Sequence, residues 1–207
     1  MLHVACCFWD ANQYSKDFSK RYDETWVEKL YSMFRRNLTL PFKFIVFTDY
    51  QRDYLESRIH QAALMTKVPT YGCMIEPFCL GEPTIVCGLD TIILSNIDHM
   101  ARYCLDDGAK VAIPNHPSLP GRKINPIAFV PRGNRGIFES WCGENDMEWL
   151  EKQDTVDTNL LWPNQILSLK LHDIRRKGVQ GARIIYFHGE PKADSMGNVD
   201  WVREHWR

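Results

Sequence analysis

The chain has 207 residues, 44% of them hydrophobic and 25% charged, enough apolar material for one sizeable core and a balance typical of globular domains. Its formal net charge of −1 offers no electrostatic reason to bind nucleic acid or an anionic membrane. No apolar run reaches the roughly 20 residues that span a bilayer, so no transmembrane segment is expected. Residues 1–10, MLHVACCFWD, lack the basic flank and cleavage site of a signal peptide. Seven cysteines without a C-x-x-C pair read as reduced core thiols of a cytoplasmic protein, not as a zinc ribbon.

Residues 2–9 are apolar and suit a buried first strand. Residues 10–21 are polar and read as a loop. A helix is predicted over 23–38. There Trp26, Leu30, Phe34 and Leu38 recur every four residues with Val27 and Tyr31 beside them, and Asp23 suits the N-cap. Residues 42–48 form a second strand running into Thr48-Asp49. Strand–helix–strand favours a parallel pair with a right-handed crossover. Residues 71–81 read as a short helix or turn feeding an apolar strand that starts at Ile85 and ends on Asp90. Further strands are predicted at 111–114 and 127–130, separated by a Pro- and Gly-rich loop. Residues 134–153 read as helix, break near Gly143, then helix, and 164–172 fit either strand or helix. The last strand is 183–187, and the tail 199–207, with Trp201 and Trp206, is expected to pack back on the body. This alternation predicts a single α/β domain over 1–207, a three-layer α/β/α sandwich around a mostly parallel sheet with mixed edges. Ligands of such sheets sit at the C-terminal strand ends, where Asp49, Asp90 and His188 are predicted to fall.

Two distant segments carry the chemistry. Residues 85–98, IVCGLDTIILSNID, place one acid, Asp90, at the end of an apolar strand. Residues 186–192, YFHGEPK, place His188 at the end of another, with Lys192 four residues on. If the fold joins these ends, a carboxylate, an imidazole and an ammonium converge, a set suited to a divalent cation and the diphosphate it bridges. Asp90 and His188 would ligate the cation. Mixed N/O ligation suits manganese, with magnesium as the alternative. Each also has a plain structural reading, as an acid opening a turn, a satisfied histidine and a surface lysine. Asp146 and Asn125 are candidate partners of sugar hydroxyls, or simply a helix N-cap and a turn residue. There is no P-loop, dinucleotide fingerprint or nucleophile elbow.

Residues 22–49, YDETWVEKLYSMFRRNLTLPFKFIVFTD, contain a helix and a strand ending in Thr-Asp. GLDTIILSNID follows from Gly88, ENDMEWLEKQ from Glu144, then YFHGEPK and the closing WVREHWR. Taken in this order, these segments resemble a small bacterial and phage glycosyltransferase family of the GT-A type, related to glycogenin-like and galactosyltransferase-like enzymes. The resemblance implies a GT-A fold and a nucleoside-diphosphate sugar donor, UDP-linked. Asp90 then matches the second acid of the D-x-D motif and His188 the late metal ligand, with manganese preferred, and Lys192 matches the diphosphate contact. Cys7, Asp10, Thr48 and Asp49 would lie near the nucleotide. Asp146 matches the catalytic-centre acid beside the donor sugar, and Asn125 a sugar-binding turn. The acceptor is left open among glycans, lipids, proteins and small metabolites.

Three positions and one insertion depart from the pattern. Gly88 replaces the first D-x-D acid, Met147 a frequent Gln and Met74 a frequent Lys. An insertion over 12–20 is expected at the rim of the site. The alternative function is a glycosyltransferase-like protein that binds nucleotide or glycan without turnover. A nucleotidyltransferase would need a second acid pair at the metal, which the sequence does not supply.

Overall fold

A computed structural model describes residues 1–179 and 181–207. Strand β1 (Leu2–Phe8) pairs in parallel with β2 (Phe42–Thr48) along its whole length, from Leu2 opposite Phe42 to Phe8 opposite Thr48. The connecting helix α1 (Glu24–Asn37) is capped as its sequence predicts, the Asp23 carboxylate accepting from the Thr25 backbone N–H at 3.0 Å. Trp26, Val27, Leu30, Tyr31, Met33 and Phe34 are all buried. They share one core with Leu2, Val4, Cys6 and Phe8 of β1, while Ala5 and Cys7 point into a second core with Ile75, Phe78, Ile137 and Leu150. Successive strand residues face opposite sides. Both sides of β1 are covered, which explains the unbroken apolar run over residues 4–8.

The remaining elements follow in order. They are β3 (Ile59–Ala63), β4 (Thr84–Cys87), β5 (Thr91–Ile93), α2 (Asp98–Tyr103), β6 (Val111–Ile113), β7 (Ile127–Val130), α3 (Gly136–Glu139), α4 (Asp146–Glu151), β8 (Thr155–Asp157), α5 (Thr158–Leu161), β9 (Ile166–Ser168), α6 (Ile174–Lys177), β10 (Ile184–Tyr186) and α7 (Asp200–His205). Seven strands form a mixed sheet in the order β3-β2-β1-β4-β7-β6-β8, and β5-β10-β9 form a smaller one. In the large sheet β7 runs antiparallel to β4 and β6, and the other pairs are parallel. The α/β class is as expected. Among the described residues no helix is long and apolar enough to cross a membrane.

Three differences from the sequence expectation have physical causes. The apolar run from Ile85 is two strands, not one: after β4 the chain turns at Gly88, whose N–H donates to the Pro126 carbonyl at 2.8 Å, and continues as β5 in the other sheet. Asp90 therefore sits between strands. Strand β3, with only Ile59 buried, is an edge strand and has no alternating pattern to betray it. Within 10–21, expected to be loop, Asp17–Arg21 forms a turn of 3₁₀ helix. The tail packs back as expected. Trp206 meets Trp26 edge-on with centroids 4.8 Å apart, and Lys29 Nζ lies 3.5 Å from the Trp206 ring centroid.

The 3₁₀ helix Tyr71–Leu80 covers the second core and ends at Gly81, whose φ of 65° is left-handed. At its start, a Cβ on Gly72 would lie 2.5 Å from the Glu144 carbonyl oxygen and 2.9 Å from Trp141. The backbone of 144 cannot move aside cheaply. Gly72→Ala is thus expected to destabilise the fold by about 1–3 kcal/mol, measured as a lower urea midpoint at unchanged slope. An unchanged midpoint would show that the contact relaxes freely.

Candidate functional site

From β1 the chain runs to β2 and β3 on one side and returns to β4 on the other. The crevice at the C-terminal ends of β1 and β4 is therefore the switch point of the sheet, the usual ligand position in open α/β folds. A cavity of about 260 Å³ lies there. Cys7 and Trp9 from the end of β1, Gly88 and Asp90 after β4, and Asn125, Asp146, His188 and Lys192 all line it.

The register of the small sheet brings the two distant segments together. Thr91 of β5 pairs with Tyr186 of antiparallel β10, so the residues just before β5 and just after β10 must be neighbours. The Phe187 N–H donates to the Asp90 carbonyl at 3.0 Å. Lys192, only 1% exposed, donates from Nζ to Asp90 Oδ2 and, at 2.9 Å, to the Phe187 carbonyl. Its ammonium lies 4.2 Å from the centroid of the Phe18 ring. Tyr22 adds a hydrogen bond to the same Asp90 oxygen at 3.2 Å. Lys192 is thus not the surface lysine of its plain structural reading. His188 lines the same cavity, its ring centroid 6.4 Å from that of His116. Burial, and then the neighbouring His116 and Lys192, hold its pKa below the ordinary value, so the imidazole is neutral at pH 7.

Asn125 and Asp146 form a second polar pair. Asn125 Nδ2 donates to Asp146 Oδ2 at 2.9 Å, and both side chains are buried. Asn125 Oδ1 is buried with no partner, an acceptor left open in the cavity wall. Burial pushes the Asp146 carboxyl up to about 6, although hydrogen bonds from Asn125 and from backbone N–H groups oppose the shift. The N-cap of α4 is Asn145, which accepts from Met147 N–H at 3.1 Å, and not Asp146. Cys7 donates from Sγ to the Cys73 carbonyl at 3.3 Å, and burial raises its pKa well above normal, so it is a neutral thiol wall and not a nucleophile.

Asp10, Thr48 and Asp49 are gathered elsewhere, around a residue for which the sequence carries no signal. Arg52 has a side chain 2% exposed. It donates to Asp10, Glu24 and Asp49 at 2.8 Å each and to Thr48 Oγ1 at 2.9 Å. Its guanidinium lies between Phe8 and Tyr50, 4.0 and 4.1 Å from the ring centroids. These three predicted residues stand at the ends of β1 and β2 but are not among the cavity-lining residues. The insertion does reach the rim as expected. Lys16 and Phe18 line the cavity beside Tyr71, and the Lys16 N–H donates to the Tyr71 hydroxyl at 3.0 Å. Arg21 ties this segment to Glu190 and Asp194 of the late loop. The sequence signal for this aromatic rim was Trp9, Phe18 and Tyr22 recurring through a polar stretch.

For a divalent cation the described residues at this position offer few protein donors. Asp90 is the one acid beside His188, its Oδ2 already holds Lys192 and Tyr22, and Gly88 contributes no ligand. Among the described residues no three His, Cys, Asp or Glu side chains are grouped about one point. In comparisons with known proteins, the chain matches no protein-family model and no curated protein.

Proposed function

We propose that the chain is a GT-A-type glycosyltransferase that moves a sugar from a nucleoside-diphosphate donor, UDP-linked in the first instance, to an acceptor hydroxyl. The observation that carries this reading is the convergence, in one cavity at the sheet's switch point, of the Asp90–Lys192–His188 group with the Asn125–Asp146 pair. In the reaction, the bond between the anomeric carbon and the diphosphate oxygen breaks. The acceptor oxygen bonds that carbon and passes its proton to the departing diphosphate oxygen. Negative charge grows on the leaving diphosphate, and the buried Lys192 ammonium is the group placed to stabilise it. Asn125 Oδ1 accepts from a sugar hydroxyl, which satisfies an otherwise orphaned atom. Asp146, ionised above about pH 6, accepts from a second hydroxyl and orients the sugar.

Incubation with a panel of UDP-sugars tests this by release of UDP. Release is expected for at least one sugar, rising through about pH 6 as Asp146 ionises. A second reading, binding without turnover, is favoured by Met74 and Met147, which give the cavity wall apolar groups where the related family has polar ones. UDP binding with no donor consumed across the panel would select it.

A further inference from the structure

We propose that the Lys192 ammonium takes the place of a divalent cation in this site, so that the nucleotide diphosphate is held without metal. The proposal rests on the glycosyltransferase reading above. It starts from a mismatch between the site and the metal that the D-x-D resemblance implies. A manganese or magnesium ion bound with a nucleotide takes about six donors, shared among one or two protein carboxylates, phosphate oxygens and water. Here the protein offers the His188 imidazole and one carboxylate, Asp90, whose Oδ2 is held by Lys192 and Tyr22. A dication placed there would also stand beside a buried ammonium of the same sign.

The ammonium is built in as firmly as a ligand. It is 1% exposed, held by Asp90 and by the Phe187 carbonyl, and covered by the Phe18 ring. An ammonium has three N–H donors. Two are used by Asp90 and Phe187, which leaves the third for a diphosphate oxygen. The Asp90 carboxylate offsets this charge, so the phosphate is held by the charged N–H donor at close range and not by a net positive field. Gly88 completes the argument. A Cβ there would lie 3.2 Å from Asp90 Oδ1 and 3.4 Å from the Pro126 carbonyl oxygen, so an acid at 88 would crowd the carboxylate that Lys192 holds. Gly88 thus leaves room for the carboxylate that Lys192 holds.

Two measurements test this. UDP is titrated calorimetrically into the wild type in EDTA and again in manganese, and manganese binding is followed by EPR with and without UDP. The expected result is UDP affinity equal within about twofold in the two conditions, with no protein-bound manganese signal beyond that of UDP alone. Lys192→Met should weaken UDP binding in EDTA by about tenfold or more, with manganese failing to restore it. If that variant does not fold, the wild-type titrations decide alone. UDP affinity or sugar transfer that requires manganese, or an EPR signal abolished by Asp90→Ala, would overturn the proposal and leave the transferase reading standing. No UDP binding in either condition would overturn both.

Discussion

Asp146→Asn is expected to make the protein more stable and less active at once. The Asp146 carboxyl titrates at about 6 in the fold against an ordinary value of 3.8, because burial disfavours its charge. The sign follows directly. The folded state holds the proton more tightly than the unfolded state, so the fold suffers no penalty below pH 3.8. The penalty grows as pH rises from there and is complete above about 6. The full difference corresponds to about 3 kcal/mol. Asparagine keeps the shape and can still accept from Asn125 Nδ2, but carries no charge to desolvate. Urea unfolding should therefore show the variant ahead by about 1–3 kcal/mol at pH 7 and level with the wild type near pH 3.5. In the same preparation, UDP-sugar consumption should fall by about 10²-fold or more. A variant less stable than the wild type at pH 7 would show that the buried carboxylate is compensated by the fold. Undiminished turnover would remove Asp146 from the site. A carboxylate kept at a cost in stability is what a functional site looks like.

Arg52→Met should lower stability through a buried charge cluster away from the cavity. One guanidinium holds Asp10, Glu24 and Asp49 together, and without it three carboxylates face one another. Breaking a fully buried ion pair costs ~3–5 kcal/mol. Here the carboxylates are 64%, 37% and 23% exposed, so solvent takes up part of the repulsion and a loss of about 2 kcal/mol is expected. Burial tends to raise the Asp49 pKa, but hydrogen bonds from Arg52 and from the Asp10 N–H outweigh it and the net shift is downward. Its contribution is present above the unfolded value and disappears as pH falls through the lower folded one. The gap between wild type and variant should thus be widest at pH 7 and narrow below about pH 4. A gap that does not change with pH would assign the loss to the stacking on Phe8 and Tyr50 instead. Nucleotide binding in this variant also separates a structural role for Asp10, Thr48 and Asp49 from one beside the nucleotide.

Much of the α/β frame was legible residue by residue. The four-residue recurrence from Trp26 to Leu38 and the Asp23 cap mark α1, because a helix that buries one face must repeat close to 3.6 residues. The apolar runs over residues 4–8, 44–47 and 127–130 mark strands covered on both sides. Asp90 and His188 were candidates because the sequence places each at the end of an apolar run, and Lys192 because it follows His188 by four residues. Only the tertiary structure decided how they meet. No local pattern records that β5 and β10 pair antiparallel in a second sheet, since a three-residue strand is too short to show its period. The Asp90–Lys192 contact joins positions 102 residues apart and follows from that pairing alone. Likewise Arg52 looks like any loop arginine until β1, β2 and α1 enclose it. The sequence by itself determined which groups could do chemistry, because residue type and boundary position are local. The fold decided which groups touch, because burial and pairing depend on segments far apart along the chain.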